Sequence, residues 1–216
     1  MKRQGSTRRS QGIVQVALFA ALIIVMASIP FLGYIPLGFT RATIIHIPVI
    51  LGSILLGPRK GAVLGGIFGL TSLAVNTFTP NATSFVFSPF YSLGDVHGNF
   101  ASLIICLVPR ILTGVIPYFV YRFVCRILGD TSTKKRVALG IAGFCGAMTN
   151  TLLVMNLIYL FFGDSYGAAK GVAGNAIYPL ILSIIGINGI PEAIVATLLV
   201  AIIGQPLLRF TAAKHT

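Results

Sequence analysis

The strongest constraint on this chain is a succession of apolar runs, 13–30, 42–56, 61–76, 103–123, 137–162 and 191–210, each with no more than two charged side chains. A transmembrane helix needs about 20 mainly apolar residues, so six such runs describe a polytopic bundle. Composition agrees, since 9% of residues are charged against about 25% in a soluble domain. The second and third runs are short and suit tilted or partly spanning helices. A further apolar stretch, 171–187, is interrupted by Gly174, Asn175, Pro179 and Gly186, and reads either as an outer helical extension or as a re-entrant piece.

A formal charge of +12 on a soluble chain would suggest nucleic acid as a partner, but in a membrane protein the basic residues first report orientation. With the N-terminus inside, Lys2, Arg3, Arg8, Arg9, Arg59, Lys60, Arg122, Arg126, Lys134, Lys135, Arg136, Arg209 and Lys214 all fall on the cytoplasmic side. Arg41 and Lys170 fall outside, and Arg110 lies within a run. The chain therefore reads as an all-α bundle of six transmembrane helices in the cell membrane, with both ends cytoplasmic. It forms one unit over 1–216, with a basic N-terminal segment, 1–12, and a short tail, 211–216. The first run is too long for a signal-peptide core and is expected to be retained.

The turn Gly57-Pro58-Arg59-Lys60-Gly61 makes an antiparallel hairpin of the second and third runs. Outside, long connections over 31–41 and 77–102 suit binding loops. Gly61, Gly65 and Gly69 recur every fourth residue, as do Ala17 and Ala21. Such faces let helix backbones approach closely in lipid. For the glycines the expected partner is another helix of the same chain, while the alanine face is also suited to a second membrane protein.

Apart from Arg122 and Arg209 at the cytoplasmic ends of their runs, two charges sit in the runs, Arg110 after Pro109 and Glu192 after Pro191. Intramembrane charges are costly and either pair with each other or serve function. Proline favours a first helical turn, which would put both charges at the outward ends of spans four and six. Either they form an ion pair, or Arg110 offers its planar fork to a carboxylate with Glu192 orienting it. Asn150, Thr151, Asn156 and Tyr159 lie on the middle and outer half of span five, and Asn188 stands near an N-cap position for span six. Buried amides need hydrogen-bond partners, supplied either by neighbouring helices or by a ligand.

His46 reads as a neutral core histidine bonded to backbone, and Cys106, Cys125 and Cys145 as inert small hydrophobes without metal-site spacing. No catalytic triad order, paired carboxylates, zinc-protease helix or phosphate-binding loop occurs.

In the order and placement of these features the chain resembles the substrate-binding S components of energy-coupling factor (ECF) vitamin transporters. The likeness covers nearly the whole length. It rests on Ala17-x-x-x-Ala21, the turn Leu56-Gly57-Pro58-Arg59-Lys60-Gly61, Pro109-Arg110-Ile111-Leu112-Thr113-Gly114 and Asn188-Gly189-Ile190-Pro191-Glu192. The stretch Gly38-Phe39-Thr40-Arg41-Ala42-Thr43 leading into Ile44-Ile45-His46-Ile47-Pro48 is most similar to pantothenate-type members.

The resemblance implies a transport subunit without a cofactor, not an enzyme. It implies capture of a water-soluble vitamin on the outer half under the loops after spans one and three. Toppling against a transmembrane T subunit driven by two cytoplasmic ATPases would follow, with Ala17 and Ala21 meeting the T subunit. Pantothenate carries a carboxylate, an amide and two hydroxyls. Arg110 would take the carboxylate, Asn150, Asn156 and Asn188 the other groups, and Gly38, Thr40, Ser84 and Phe85 would touch it from the lids, with Glu192 and Tyr159 nearby. A riboflavin, pyridoxine or pyrimidine-type substrate, a stand-alone membrane enzyme acting on lipid, and a structural assembly protein are the competing readings.

Overall fold

The structure, a computed structural model, describes residues 2–29, 33–36, 41–94, 96–129 and 131–213, with side chains described outside 2–10, 34–36, 41–42 and 211–213. Helix α1 covers Lys2–Ser28 and continues without a break from the basic segment into the first apolar run. A short antiparallel ribbon follows, β1 (Tyr34–Pro36) against β2 (Arg41–Thr43), with Tyr34 opposite Thr43. Then come α2 (His46–Leu56), α3 (Pro58–Phe78), a 3₁₀ turn at Ser84–Val86 and a second ribbon of β3 (Ser92–Leu93) and β4 (Val96–His97). Helices α4 (Phe100–Thr113) and α5 (Ile116–Leu128) form the fourth span, and α6 (Ser132–Ala169) the fifth. Helix α7 (Ile177–Ile184), a π-turn at Ile185–Gly189 and α8 (Ile190–Ala213) make the sixth.

Five of these segments are long and apolar enough to cross a membrane, and α2 is the shorter sixth. At 11 residues it rises only about 16 Å, so it does not cross a hydrocarbon core of about 30 Å. Residues 42–43, expected in its span, belong instead to the β-ribbon, whose outer position lets water and the partner strand satisfy the backbone. Every residue from His46 to Ile54 is buried. An apolar sequence without a polar face forms a central helix, and the other elements close around this one.

Three apolar clusters hold it. Val49 joins Ile23 and Met26 of α1 and Leu64 and Phe68 of α3. Ile47, Ile50, Leu51 and Ile54 join Leu139 and Ala142 of α6 and Ala193, Ala196 and Val200 of α8. The third cluster lies toward the outer side, where Phe85 and Val86 of the 3₁₀ turn meet Ile105, Met155, Ile158, Phe162 and Ile181.

The glycine stripe on α3 packs within the chain, as expected. A Cβ on Gly61, Gly65 or Gly69 would run into the backbone oxygen of Gly114, Arg110 or Cys106 respectively. Both series step by four residues in opposite directions, so α3 and α4 lie antiparallel with their backbones in contact. The Cys106 thiol adds a 3.2 Å hydrogen bond to the Gly69 carbonyl.

One open alternative is resolved, and one boundary differs from the sequence expectation. From Ile177 on, the stretch 171–187 is a helical extension, since α7 passes through the π-turn directly into α8, while 171–176 form turns ahead of it. Pro109 lies inside α4 rather than at its start. The start is set by a capping box: Asn99 Oδ1 accepts from Ala101 N–H at 2.8 Å, and Ser102 Oγ accepts from Asn99 N–H at 3.1 Å. Arg110 therefore sits ten residues into the span, not at its outward end.

Candidate functional site

Proline has no N–H, so Pro109 leaves the carbonyl four residues earlier, that of Ile105, without its helical donor. The guanidinium of Arg110 fills that gap, with Nη1 donating to Ile105 O at 2.7 Å. Side chains on a helix tilt toward its N-terminus, and this bond draws Arg110 the same way, toward the outer side. Its Cζ lies 5.1 Å from the ring centroid of Phe87 in the outer loop and 5.8 Å from that of Phe68 on α3. Arg110 is only 7% exposed. Two aromatic faces and a carbonyl thus offset part of the cost of a charge at this depth, each cation–π contact contributing about 0.5–2 kcal/mol.

The loop above Arg110 is pinned to the bundle. Ser84 Oγ donates to Asn76 Oδ1 at 2.8 Å and accepts from Asn81 N–H at 2.9 Å. Ser102 Oγ donates to the Phe85 carbonyl at 2.8 Å. The Phe85 ring is fully buried, 5.9 Å from Phe162 in an edge contact, and Phe162 is where α6 leaves helical geometry. Thr77 and Ser88 share a 2.7 Å hydroxyl bond. Ser84 and Phe85, expected as lid contacts, thus hold the lid down from inside the core. Phe87 carries the loop to Arg110, and no local sequence signal marked it.

Glu192 is engaged elsewhere, its Oε1 accepting from Thr43 N–H at 2.8 Å. This bond ties the ribbon after α1 to α8, which makes Glu192 a staple of the outer surface. The helix start expected at Pro191 is not found, because α7 runs through the π-turn into α8; Pro191 and Glu192 therefore lie inside a continuous helix, and Asn188 lies in the π-turn, half-buried, rather than at a cap.

The amides of α6 separate by face. Asn150 is partly buried and its Oδ1 is enclosed without a hydrogen-bond partner. Asn156 is exposed, and its Nδ2 donates to Leu152 O of its own helix at 2.7 Å. Tyr159, 44% exposed, packs on Tyr178 with 4.9 Å between centroids. Asn156 and Tyr159 thus occupy the outward face of α6, opposite Thr151, Met155 and Ile158, and are not brought to Arg110. Gly38 and Thr40 lie outside the described residues.

His46 departs from the expectation of a backbone-bonded core histidine. It is 1% exposed, and neither ring nitrogen has a hydrogen-bond partner. Ala17 and Ala21 are exposed on α1 among Val14, Leu18 and Val25. The opposite face, with Phe19, Ile23 and Met26, carries the intramolecular packing. Among the described residues no group of His, Cys, Asp and Glu is arranged to hold a metal ion.

A family model described as "ECF transporter, substrate-specific component" matches residues 11–204. The pantothenic acid transporter PanT of Lactococcus lactis subsp. cremoris is 37% identical over 190 residues, covering 83% of this chain and 92% of that protein. The pantothenate transporter PanT of Leuconostoc mesenteroides subsp. mesenteroides is 30% identical over 207 residues, covering 94% of this chain and 95% of that protein.

Proposed function

We propose that this chain, which belongs to the family of ECF transporter substrate-specific components, captures pantothenate on its outer half for import by a larger complex. The observation that carries the reading is Arg110, a permanent cation enclosed between Phe68 and Phe87 beneath an outer loop. A planar fork in a low-dielectric setting suits a carboxylate, and pantothenate has one. The names of two relatives that align with most of the chain support the same substrate.

The rest of the cycle falls to partners. Membership of the family implies that two cytoplasmic ATPases supply the energy, and a chain without a phosphate-binding loop accommodates that division. The exposed strip of α1 around Ala17 and Ala21 would dock a transmembrane T subunit, against which the chain topples to release the vitamin inward. Small residues on an apolar face allow the close helix approach that such sliding contact needs.

The test is calorimetric titration of the purified chain with pantothenate, riboflavin, pyridoxine and a pyrimidine precursor. Pantothenate is expected to bind one per chain and tighter than about 1 µM, a free energy beyond about −8 kcal/mol. Tight binding of another member of the panel, with none of pantothenate, would reassign the substrate.

A further inference from the structure

We infer that His46 and Asn150 form the neutral half of the ligand site, receiving hydroxyl groups of the substrate whose carboxylate Arg110 holds; this rests on the capture reading above. A neutral imidazole carries one donor and one acceptor, and burying both unmade is unfavourable. In His46 both are enclosed and unpartnered, and Asn150 Oδ1 shares that state.

Helix geometry brings the two together. A Cβ on Gly146 would strike the Ile50 side chain, so α2 and α6 touch at that level. The helices are antiparallel. His46 stands one turn outward of Ile50 and Asn150 one turn outward of Gly146, and residues four apart share a helix face. The imidazole and the carboxamide therefore arise from facing strips at one depth. Phe68 connects this level to the cation: it lies beneath the Arg110 guanidinium and packs in one cluster with Ile45 and Val49, the neighbours of His46 along α2.

The chemistry of the pair selects the group it takes. The carboxamide oxygen, an acceptor only, repels a carboxylate, so an anionic end is directed to Arg110. A hydroxyl both donates and accepts, and so complements a neutral imidazole on one side and a carboxamide oxygen on the other. A substrate with a carboxylate at one end and hydroxyls at the other is thereby bound in one orientation.

The experiment titrates pantothenate, and an analogue in which both hydroxyls are replaced by hydrogen, into the full chain and into His46→Leu, His46→Gln and Asn150→Leu, with thermal unfolding of each. The wild type is expected to prefer pantothenate by tenfold or more. His46→Leu should lose about 10- to 100-fold for pantothenate while binding the analogue nearly unchanged, since a site built to hydrogen-bond a hydroxyl discriminates through that bond. His46→Gln, which keeps a donor and an acceptor, should recover part of the loss. A purely structural histidine would not alter the ratio of the two ligands. Should His46→Leu not fold, Asn150→Leu carries the same expectation. Variants that bind both ligands in the wild-type ratio would overturn the assignment while leaving capture intact, and a wild type that binds no vitamin overturns both.

Discussion

Arg110 concentrates the residue-scale logic of the molecule. Its neighbour Pro109 removes a donor, and the guanidinium replaces it at Ile105 O. One arm is spent on the helix, and the fork is thereby fixed in direction beneath Phe87. Arg110→Ala should weaken an anionic vitamin by at least about 100-fold in calorimetry, the size of a lost charge-assisted pair. Arg110→Lys should recover little, because an ammonium cannot both cap Ile105 O and present a planar fork. A neutral vitamin bound equally by wild type and Arg110→Ala would instead mark a structural cation. That a charge lay at depth was legible from its apolar surroundings. The donor role was not, because local preference places a proline at a helix start and the compensation arises only from the folded side chain. His46 was misread for a related reason: an apolar context foretells burial but says nothing of partners.

At the scale of elements, helix order follows from run length and turn chemistry, both visible along the chain, whereas the second run yields a helix too short to cross a membrane. The helix that proved central, α2, is the one whose sequence has no polar face. The small-residue stripe on α3 foretold close packing, and its partners Gly114, Arg110 and Cys106 repeat the same four-residue step on α4. Gly65→Ala should therefore force backbone apart at the level of Arg110. A loss of about 1–3 kcal/mol is expected from overpacking, read as a lowered unfolding temperature in detergent and accompanied by weakened ligand binding. Val63→Ala, on the exposed face of the same helix, should change stability by no more than about 0.5 kcal/mol. The β-ribbons and the continuity of α7 with α8 were less legible. Strands of two or three residues carry no periodic signal, and Gly, Asn and Pro residues usually interrupt helices, whereas here Gly174 and Asn175 stay in a 3₁₀ turn ahead of α7, Pro179 falls in its first turn and the π-turn takes up Gly186.

The whole molecule divides its surfaces by task. Among the described basic residues, Arg59, Lys60, Arg122, Arg126, Lys134, Lys135, Arg136 and Arg209 lie at the helix ends away from the β-ribbons. There Gln205 of α8 bonds Arg136, and it donates to Ser132 Oγ at 2.7 Å, which ties α6 to α8. The polar groups at depth lie in the other half, around α2, α4 and α6. Helix α1 packs on one face and leaves Ala17 and Ala21 on the other. Ala17→Trp and Ala21→Trp should leave pantothenate binding within about twofold of wild type, since neither residue touches the packed face, yet abolish uptake by the assembled transporter through loss of close helix approach. Uptake at the wild-type rate would assign the docking face elsewhere.

The central claim is that this chain alone captures pantothenate, and native mass spectrometry of the full chain after incubation with an equimolar vitamin mixture tests it most directly. A single bound mass is expected, that of pantothenate, at one per chain, and its disappearance in Arg110→Ala. A chain that emerges without any vitamin, or with pantothenate retained equally by Arg110→Ala, would contradict it.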